Sequence, residues 1–85
     1  MDELKEKLEG YLAKAKPAFD SIEAVKDNGA KVKDTAERYY SDALHFMEKG
    51  ELINAFAALE YAEGWLDSGI VLGVVKASGK SAKDY

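Results

Sequence analysis

The sequence predicts an all-α protein, a three-helix up-and-down antiparallel bundle. Apolar residues recur at steps of three and four along three segments of similar length, which is the period of amphipathic helices, and no strand pattern competes. Short breaks that contain glycine separate the segments, and short connections favour antiparallel neighbours. A chain of 85 residues leaves room for one domain. We therefore assign residues 1–75 to a single bundle domain and residues 76–85, which lack periodicity, to a flexible polar tail.

The first helix is predicted over residues 2–25. Its apolar stripe consists of Leu4, Leu8, Tyr11, Leu12, Ala15, Phe19 and Ile22. Pro17 falls on the polar side of this stripe and removes the hydrogen bond to the Ala13 carbonyl. A bend at that point keeps the stripe facing inward, so we expect one helix kinked at Pro17 rather than two helices.

The second helix is predicted over residues 30–49, between Asn28-Gly29 and Gly50. Asparagine and glycine tolerate the left-handed backbone that ends helices and makes turns. The third helix is predicted over residues 52–75, and sixteen of these twenty-four residues are hydrophobic. Its stripe toward the other helices consists of Leu52, Ala55, Phe56, Leu59, Ala62, Leu66, Ile70 and Gly73.

The far side of the third helix is also apolar. The side chains there are Ile53, Ala57, Tyr61 and Val71. A monomer would leave them partly exposed, and such a run along one helix is typical of an interface. Gly64, Gly69 and Gly73 each cost about 1 kcal/mol relative to alanine in a helix interior. We therefore expect another helix backbone to approach the third helix closely.

Charge and composition exclude several classes of function. The formal net charge is −4 and no basic face emerges, so we expect no nucleic-acid partner. Glu60, Glu63 and Asp67 interrupt the longest apolar stretch, so we expect no membrane span. The N-terminus is charged and lacks the apolar segment of a signal peptide, and the chain contains no cysteine. These features predict a cytoplasmic protein.

Three carboxylates are candidates for a cation site. Glu60, Glu63 and Asp67 occur at i, i+3 and i+7 on one face of the third helix, where they could hold a divalent cation with help from water. They lack the Glu-x-x-His pairs of di-iron bundles. A solvated acidic face, or ion pairs to a neighbouring helix, is the simpler interpretation. We expect no cofactor and no metal.

Polar and aromatic residues near the middle of the second and third helices form a possible pocket. Its residues are Tyr39, Tyr40, Asp42, His45, Tyr61, Trp65 and Asp67. Alternatively, the aromatic rings fill the core, and Asp67 accepts a hydrogen bond from a tyrosine hydroxyl or an arginine across the bundle. Asp42 and His45, at i and i+3, could form an orienting pair, but no serine or cysteine nucleophile lies at a recognisable spacing.

The leading function predicted from these features is a non-enzymatic protein–protein interaction or assembly module. The predicted interface consists of Ile53, Ala57, Glu60, Gly64 and Val71, covered in a homodimer or by an unknown protein partner. The alternative is an accessory protein that binds a small ligand or a divalent metal with the acidic and aromatic face of the third helix. A third possibility is a hydrolase or transferase that uses Asp42, His45 and Asp67.

Several runs of residues resemble a known family. These runs are residues 40–46 (YSDALHF), 49–51 (KGE), 54–55 (NA), 61–69 (YAEGWLDSG) and 72–73 (LG). Together they resemble the archaeal "domain of unknown function 357" family over residues 39–74, whereas the first helix matches only in general character. The resemblance implies a small archaeal protein with a three-helix up-and-down bundle. It implies no activity.

Overall fold

The computed structural model describes residues 2–85. Three helices form the fold: α1 (Asp2–Asp20), α2 (Gly29–Glu48) and α3 (Leu52–Leu72). Two very short strands, β1 (Glu23–Ala24) and β2 (Val75–Lys76), follow α1 and α3, and one 3-10 turn (Ala82–Asp84) lies near the C-terminus. The predicted three-helix antiparallel bundle is confirmed.

The first helix ends earlier than the sequence predicted. It continues through Pro17 as one helix, as expected, while a kink at this residue stays a prediction. The helix stops at Asp20, and the Ser21 hydroxyl then donates hydrogen bonds toward the carbonyls of Pro17 (2.8 Å) and Ala18 (3.1 Å). Ile22 is nevertheless buried. The apolar period therefore runs past the helix end, which is why the predicted boundary at residue 25 was wrong.

A two-stranded antiparallel sheet joins the end of α1 to the end of α3. Glu23 pairs with Lys76, and Ala24 pairs with Val75. The Val25 amide extends the contact by donating to the Val74 carbonyl at 2.9 Å. Strands of two residues have no alternation to detect, so the sequence did not predict them.

The break between α1 and α2 differs in detail from the prediction. The left-handed residue is Asp27, with φ 49°, rather than Asn28 or Gly29. Gly29 begins α2 and is buried, and glycine is required there because a Cβ would overlap the Val74 carbonyl oxygen. The second break follows the prediction, since Gly50 adopts a left-handed φ of 77°.

The third helix ends at Leu72, three residues before the predicted boundary. Gly73 caps it with a left-handed φ of 74°, so its assignment to the inward stripe was wrong. The amides of Gly73 and Val74 bond to the carbonyls of Ile70 (3.1 Å) and Gly69 (3.0 Å). This pattern satisfies the free carbonyls at the helix end.

The closest pair of helices is α2 and α3. The alanines that are fully buried in the core are Ala36, Ala43, Ala55 and Ala62. Their small side chains let the two backbones approach. The first helix instead contributes larger buried side chains, including Leu8, Leu12 and Phe19. Tyr40 of α2 stacks on Phe19 with ring centroids 4.5 Å apart and donates its hydroxyl proton to the Leu12 carbonyl at 2.7 Å.

The last ten residues make polar contacts with α3. Lys80 Nζ and the Tyr85 hydroxyl both donate to Asp67 Oδ1, at 2.7 and 2.6 Å. Ser81 and Asp84 form a capping box around the 3-10 turn. The sequence gave no periodic signal for these contacts, because they join residues that are distant in the chain. The flexibility of residues 76–85 stays a prediction.

Candidate functional site

The candidate site is the side of α3 that points away from α1 and α2, which we call the outer face. It consists of Ile53, Ala57, Glu60, Tyr61, Gly64, Trp65, Ser68, Val71 and Leu72, all of which are exposed. Their spacing of three, four and seven residues places them on one side of a helix. The opposite side of α3 carries the buried residues Ala55, Ala58, Leu59, Ala62, Leu66, Gly69 and Ile70.

The outer face presents large apolar side chains to solvent. Ile53 is 80% exposed, Leu72 is 70% exposed and Tyr61 is 61% exposed. Val71 and Trp65 follow at 51% and 39%. Exposed apolar residues are ordinary when they occur singly, but a continuous patch along one helix is characteristic of a binding surface.

A shallow groove of about 640 Å³ runs along the centre of the outer face. It is lined by Ala57, Glu60, Tyr61, Gly64, Trp65 and Ser68. Gly64 is part of this lining, and within residues 2–85 no side chain, and no backbone atom beyond the adjacent turns of α3, lies within 4 Å of the position that a Cβ would take there. The backbone of α3 is therefore directly accessible at the middle of the groove.

The three glycines of the third helix have different roles. A Cβ at Gly69 would lie 2.7 Å from Val32 Cγ1 and 2.8 Å from Val75 Cγ2, so this glycine permits close packing inside the molecule. Gly73 is the left-handed cap of α3. Gly64 has neither an intramolecular neighbour nor a left-handed backbone. Only the first two glycines are therefore explained by the fold of a single chain.

The three candidate carboxylates lie in different surroundings. Glu60 is exposed beside the groove. Glu63 is half-buried in a second groove between α1 and α3, and burial raises its pKa although nearby Lys80 acts in the opposite direction. Asp67 accepts hydrogen bonds from Lys80 and from the Tyr85 hydroxyl, and both donors lie in the C-terminal segment rather than across the bundle, where a donor was predicted. Within residues 2–85 no three histidine, aspartate or glutamate side chains converge as a metal site.

The aromatic residues do not form one pocket. Tyr40 is buried in the core, whereas Tyr39 stacks on Tyr61 at the boundary between α2 and the outer face, with centroids 5.2 Å apart. Trp65 lies beside Tyr61 in the groove. The stacked tyrosine is thus held in place by α2 while its other surface faces solvent, and a preordered ring of this kind is a good anchor for a partner.

The polar residues of α2 lie apart from Asp67. Asp42 lines a small depression with Arg38, Tyr39 and Ser41, and His45 is exposed. In the described part of the chain no hydrogen bond or ion pair joins Asp42 or His45 to Asp67 or to each other. The structure therefore does not bring these three side chains into one site.

Four residues of interest were not singled out from the sequence. Ser68 and Leu72 follow Tyr61 at seven and eleven residues, so helical spacing could have placed them on the outer face. Lys80 and Tyr85 reach Asp67 only through the path of the C-terminal segment. No sequence pattern predicts the contact of Lys80 and Tyr85 with Asp67.

Comparison with known proteins identifies the family. A family model described as "Protein of unknown function (DUF357)" matches residues 5–75. The chain belongs to this family. The crystal structure of protein AF1782 from Archaeoglobus fulgidus, which carries the DUF357 label, is 30% identical to it, with a TM-score of 0.74. That similarity covers 91% of this chain and 96% of AF1782. A search of curated proteins found no match.

Membership in DUF357 confirms the resemblance seen in residues 39–74 and extends it to most of α1. The similarity to AF1782 supports the bundle over nearly the whole chain. None of the helices in residues 2–85 combines the length and the hydrophobicity that a membrane crossing requires. Neither relationship assigns an activity to the DUF357 domain.

Proposed function

We propose that this DUF357 chain is a non-enzymatic protein-interaction module of the cytoplasm and that it binds through the outer face of α3. The single observation that carries the proposal is Gly64, which lies exposed at the middle of an apolar groove and, within residues 2–85, has no side chain within 4 Å of the position that a Cβ would take. A backbone that is bare at this point can be approached closely by another molecule.

The energetic argument concerns what Gly64 costs and what could offset it. Glycine in a helix interior is about 1 kcal/mol less favourable than alanine. Contacts inside the fold compensate Gly69, but neither Gly64 nor Gly10 of α1 has such contacts, and Gly64 differs from Gly10 in that it lies within an apolar groove. A partner that packs against the bare backbone would supply the missing contacts, just as Val32 and Val75 do for Gly69.

The side chains around Gly64 fit the anatomy of a protein interface. Tyr61 and Trp65 are large and amphipathic, and Tyr61 is stacked on Tyr39. Aromatic residues of this kind supply most of the binding energy at many interfaces. Glu60 lies at the edge of the apolar surface, where a charge selects against unsuitable partners. The alternative, a cation held by α3, receives less support because Asp67 is already bonded to Lys80 and Tyr85.

Photo-cross-linking tests the proposal. The cross-linker p-benzoylphenylalanine replaces Tyr61 in one variant and Tyr11 in the control, because Tyr11 is a tyrosine of similar exposure on α1. We expect protein adducts from position 61 that are absent from position 11 when each variant is irradiated in a host-cell extract. Gly64→Glu should abolish the position-61 adduct, and Gly10→Glu should leave it intact. An absent adduct, or equal adducts from both positions, would contradict the proposal.

A further inference from the structure

We propose that the partner of the outer face is a second copy of this chain, packed antiparallel about a two-fold axis that passes Gly64. This inference rests on the proposed function, because it names the occupant of the same surface. Homo-oligomers with two-fold symmetry are the commonest closed assemblies, and their interfaces must be complementary to themselves. The outer face can be tested for that property residue by residue.

The small residues of the outer face are arranged symmetrically about Gly64. Ala57 and Val71 lie seven residues before and after it, so the three residues form one line along α3. In an antiparallel pair centred on Gly64, Ala57 of each copy faces Val71 of the other. A small side chain is thus opposite a larger one at both ends, while the two glycines meet in the middle.

Helix geometry explains why glycine suits the middle. Packed helix axes are about 8–10 Å apart, and the Cα atoms lie about 2.3 Å from each axis. Facing Cα atoms are then separated by roughly 3.4–5.4 Å. A larger side chain at the crossing point would push the helices apart, whereas Gly64 has open space on this side and lets them approach.

Charge favours the antiparallel direction. Among residues 2–85, Glu60 is the only charged residue that lines the groove. In a parallel pair it would face Glu60 of the second copy, and two like charges would repel. In the antiparallel pair Glu60 faces Ser68, whose hydroxyl can donate a hydrogen bond to the carboxylate. Only the antiparallel direction therefore places a hydrogen-bond donor, Ser68 of the second copy, opposite Glu60.

The area of the outer face predicts a weak dimer. Aromatic residues bury about 150–250 Å² each when they are fully covered, so the exposed parts of Tyr61 and Trp65 offer roughly 200 Å². With the neighbouring aliphatic residues, the face offers on the order of 400 Å² per copy, and interfaces that bury less than about 1,200 Å² in total are typical of reversible complexes. We expect a dimer that dissociates in the micromolar range or above.

Engineered disulfides test the axis and the direction. The chain has no cysteine, so each variant carries only the introduced thiol. Under oxidised glutathione, Gly64→Cys should yield a covalent species of twice 9.3 kDa, and the matched control Gly10→Cys should not. Ala57→Cys mixed with Val71→Cys should give the crossed dimer, whereas Ala57→Cys alone should not link, because its two copies lie about 21 Å apart along the axis.

Sedimentation equilibrium of the wild-type chain supplies the reversible measurement. We expect the average mass to rise above 9.3 kDa with concentration, and Gly64→Glu to weaken association at least tenfold while Gly10→Glu leaves it unchanged. Linking of Ala57→Cys to itself would overturn the antiparallel direction. If the wild-type chain stays monomeric at millimolar concentration, the proposal that its partner is a second copy of the chain is wrong. The proposed function would still stand if Tyr61 then cross-linked to a different protein, and it would fail if no adduct formed.

Discussion

Alanine substitution at two glycines of α3 should have different effects on the free energy of unfolding. At Gly64 the added methyl group meets nothing within 4 Å. The variant therefore gains the helix propensity of alanine, about 1 kcal/mol, without a packing penalty. For a domain of this size, that gain corresponds to a rise in Tm of about 4–8 °C.

At Gly69 the same gain is opposed by crowding. The methyl group would lie 2.7 Å from Val32 Cγ1 and 2.8 Å from Val75 Cγ2. Both neighbours are β-branched, so their χ1 angles adjust poorly. Overpacking a well-filled core costs about 1–3 kcal/mol. We expect Gly69→Ala to range from neutral to about 2 kcal/mol less stable, which leaves it about 1–3 kcal/mol below Gly64→Ala.

Thermal and urea denaturation followed by circular dichroism measure both variants, at concentrations low enough to keep the chain monomeric. Gly10→Ala is the matched control, because Gly10 is an exposed helical glycine with open space around it, and it should gain as much as Gly64→Ala. The same Gly64→Ala variant should associate less tightly than the wild type at high concentration. A loss of monomer stability in Gly64→Ala would refute the reasoning, since it would mean that Gly64 serves the fold of the single chain.

Two further predictions test other parts of the structure. Burial raises the pKa of the Glu63 carboxyl above its ordinary value of 4.5, so the folded chain binds the proton of this carboxyl more tightly than the unfolded chain does. The stability that this proton gives the folded chain is lost as the pH rises above 4.5 and the carboxyl ionises. Glu63→Gln should therefore raise Tm at pH 7. The gain should disappear below about pH 4, because the glutamate of the wild type and the glutamine of the variant are then both neutral. An equal gain in Tm at the two pH values would contradict the effect of burial on Glu63. Leu66→Ala should lower the free energy of unfolding by about 2–5 kcal/mol because Leu66 is fully buried. Leu72→Ala on the outer face should lower it by less than about 0.5 kcal/mol. Equal losses in urea denaturation would show that the two faces of α3 are misassigned.

The sequence predicted the helices well where local signals govern them. Gly50 marks the turn between α2 and α3 because only its left-handed backbone can end one helix and begin the next within three residues. The inward residues of α3 from Leu52 to Ile70 were also predicted, since helical spacing fixes which side chains share a face. These features depend on neighbours in the chain, and periodicity reports on such neighbours.

The errors arose where contacts between distant residues decide the outcome. Ile22 continues the apolar period of α1, but pairing of Glu23 with Lys76 draws the chain away from the helix. Gly73 fits the inward stripe by position, but it serves as the cap that turns the chain back toward this pairing. The hydrogen bond from Tyr85 to Asp67 likewise depends on the path of the C-terminal segment.

The candidate site was predicted in part. Ile53, Ala57, Glu60, Gly64 and Val71 do lie together on an exposed face, although a partner for them stays a prediction. From the sequence, all three glycines of the third helix were predicted to have the same role, close approach of another helix backbone. Their separate roles became visible only through the distances from each glycine to the rest of the molecule.

The order in which the helices fold follows from their contacts. Small alanines line the contact of α2 with α3, whereas α1 contributes bulkier side chains. The turn between α2 and α3 is short, so closing this hairpin costs little chain entropy, and the contacts beside the turn join residues that are near in sequence. Attachment of α1 also requires Glu23 to find Lys76 across most of the chain. We expect the hairpin to form early and α1 to dock late. By the same reasoning α1 opens at the lowest free energy, and the outer face, which belongs to the hairpin, persists after α1 has detached.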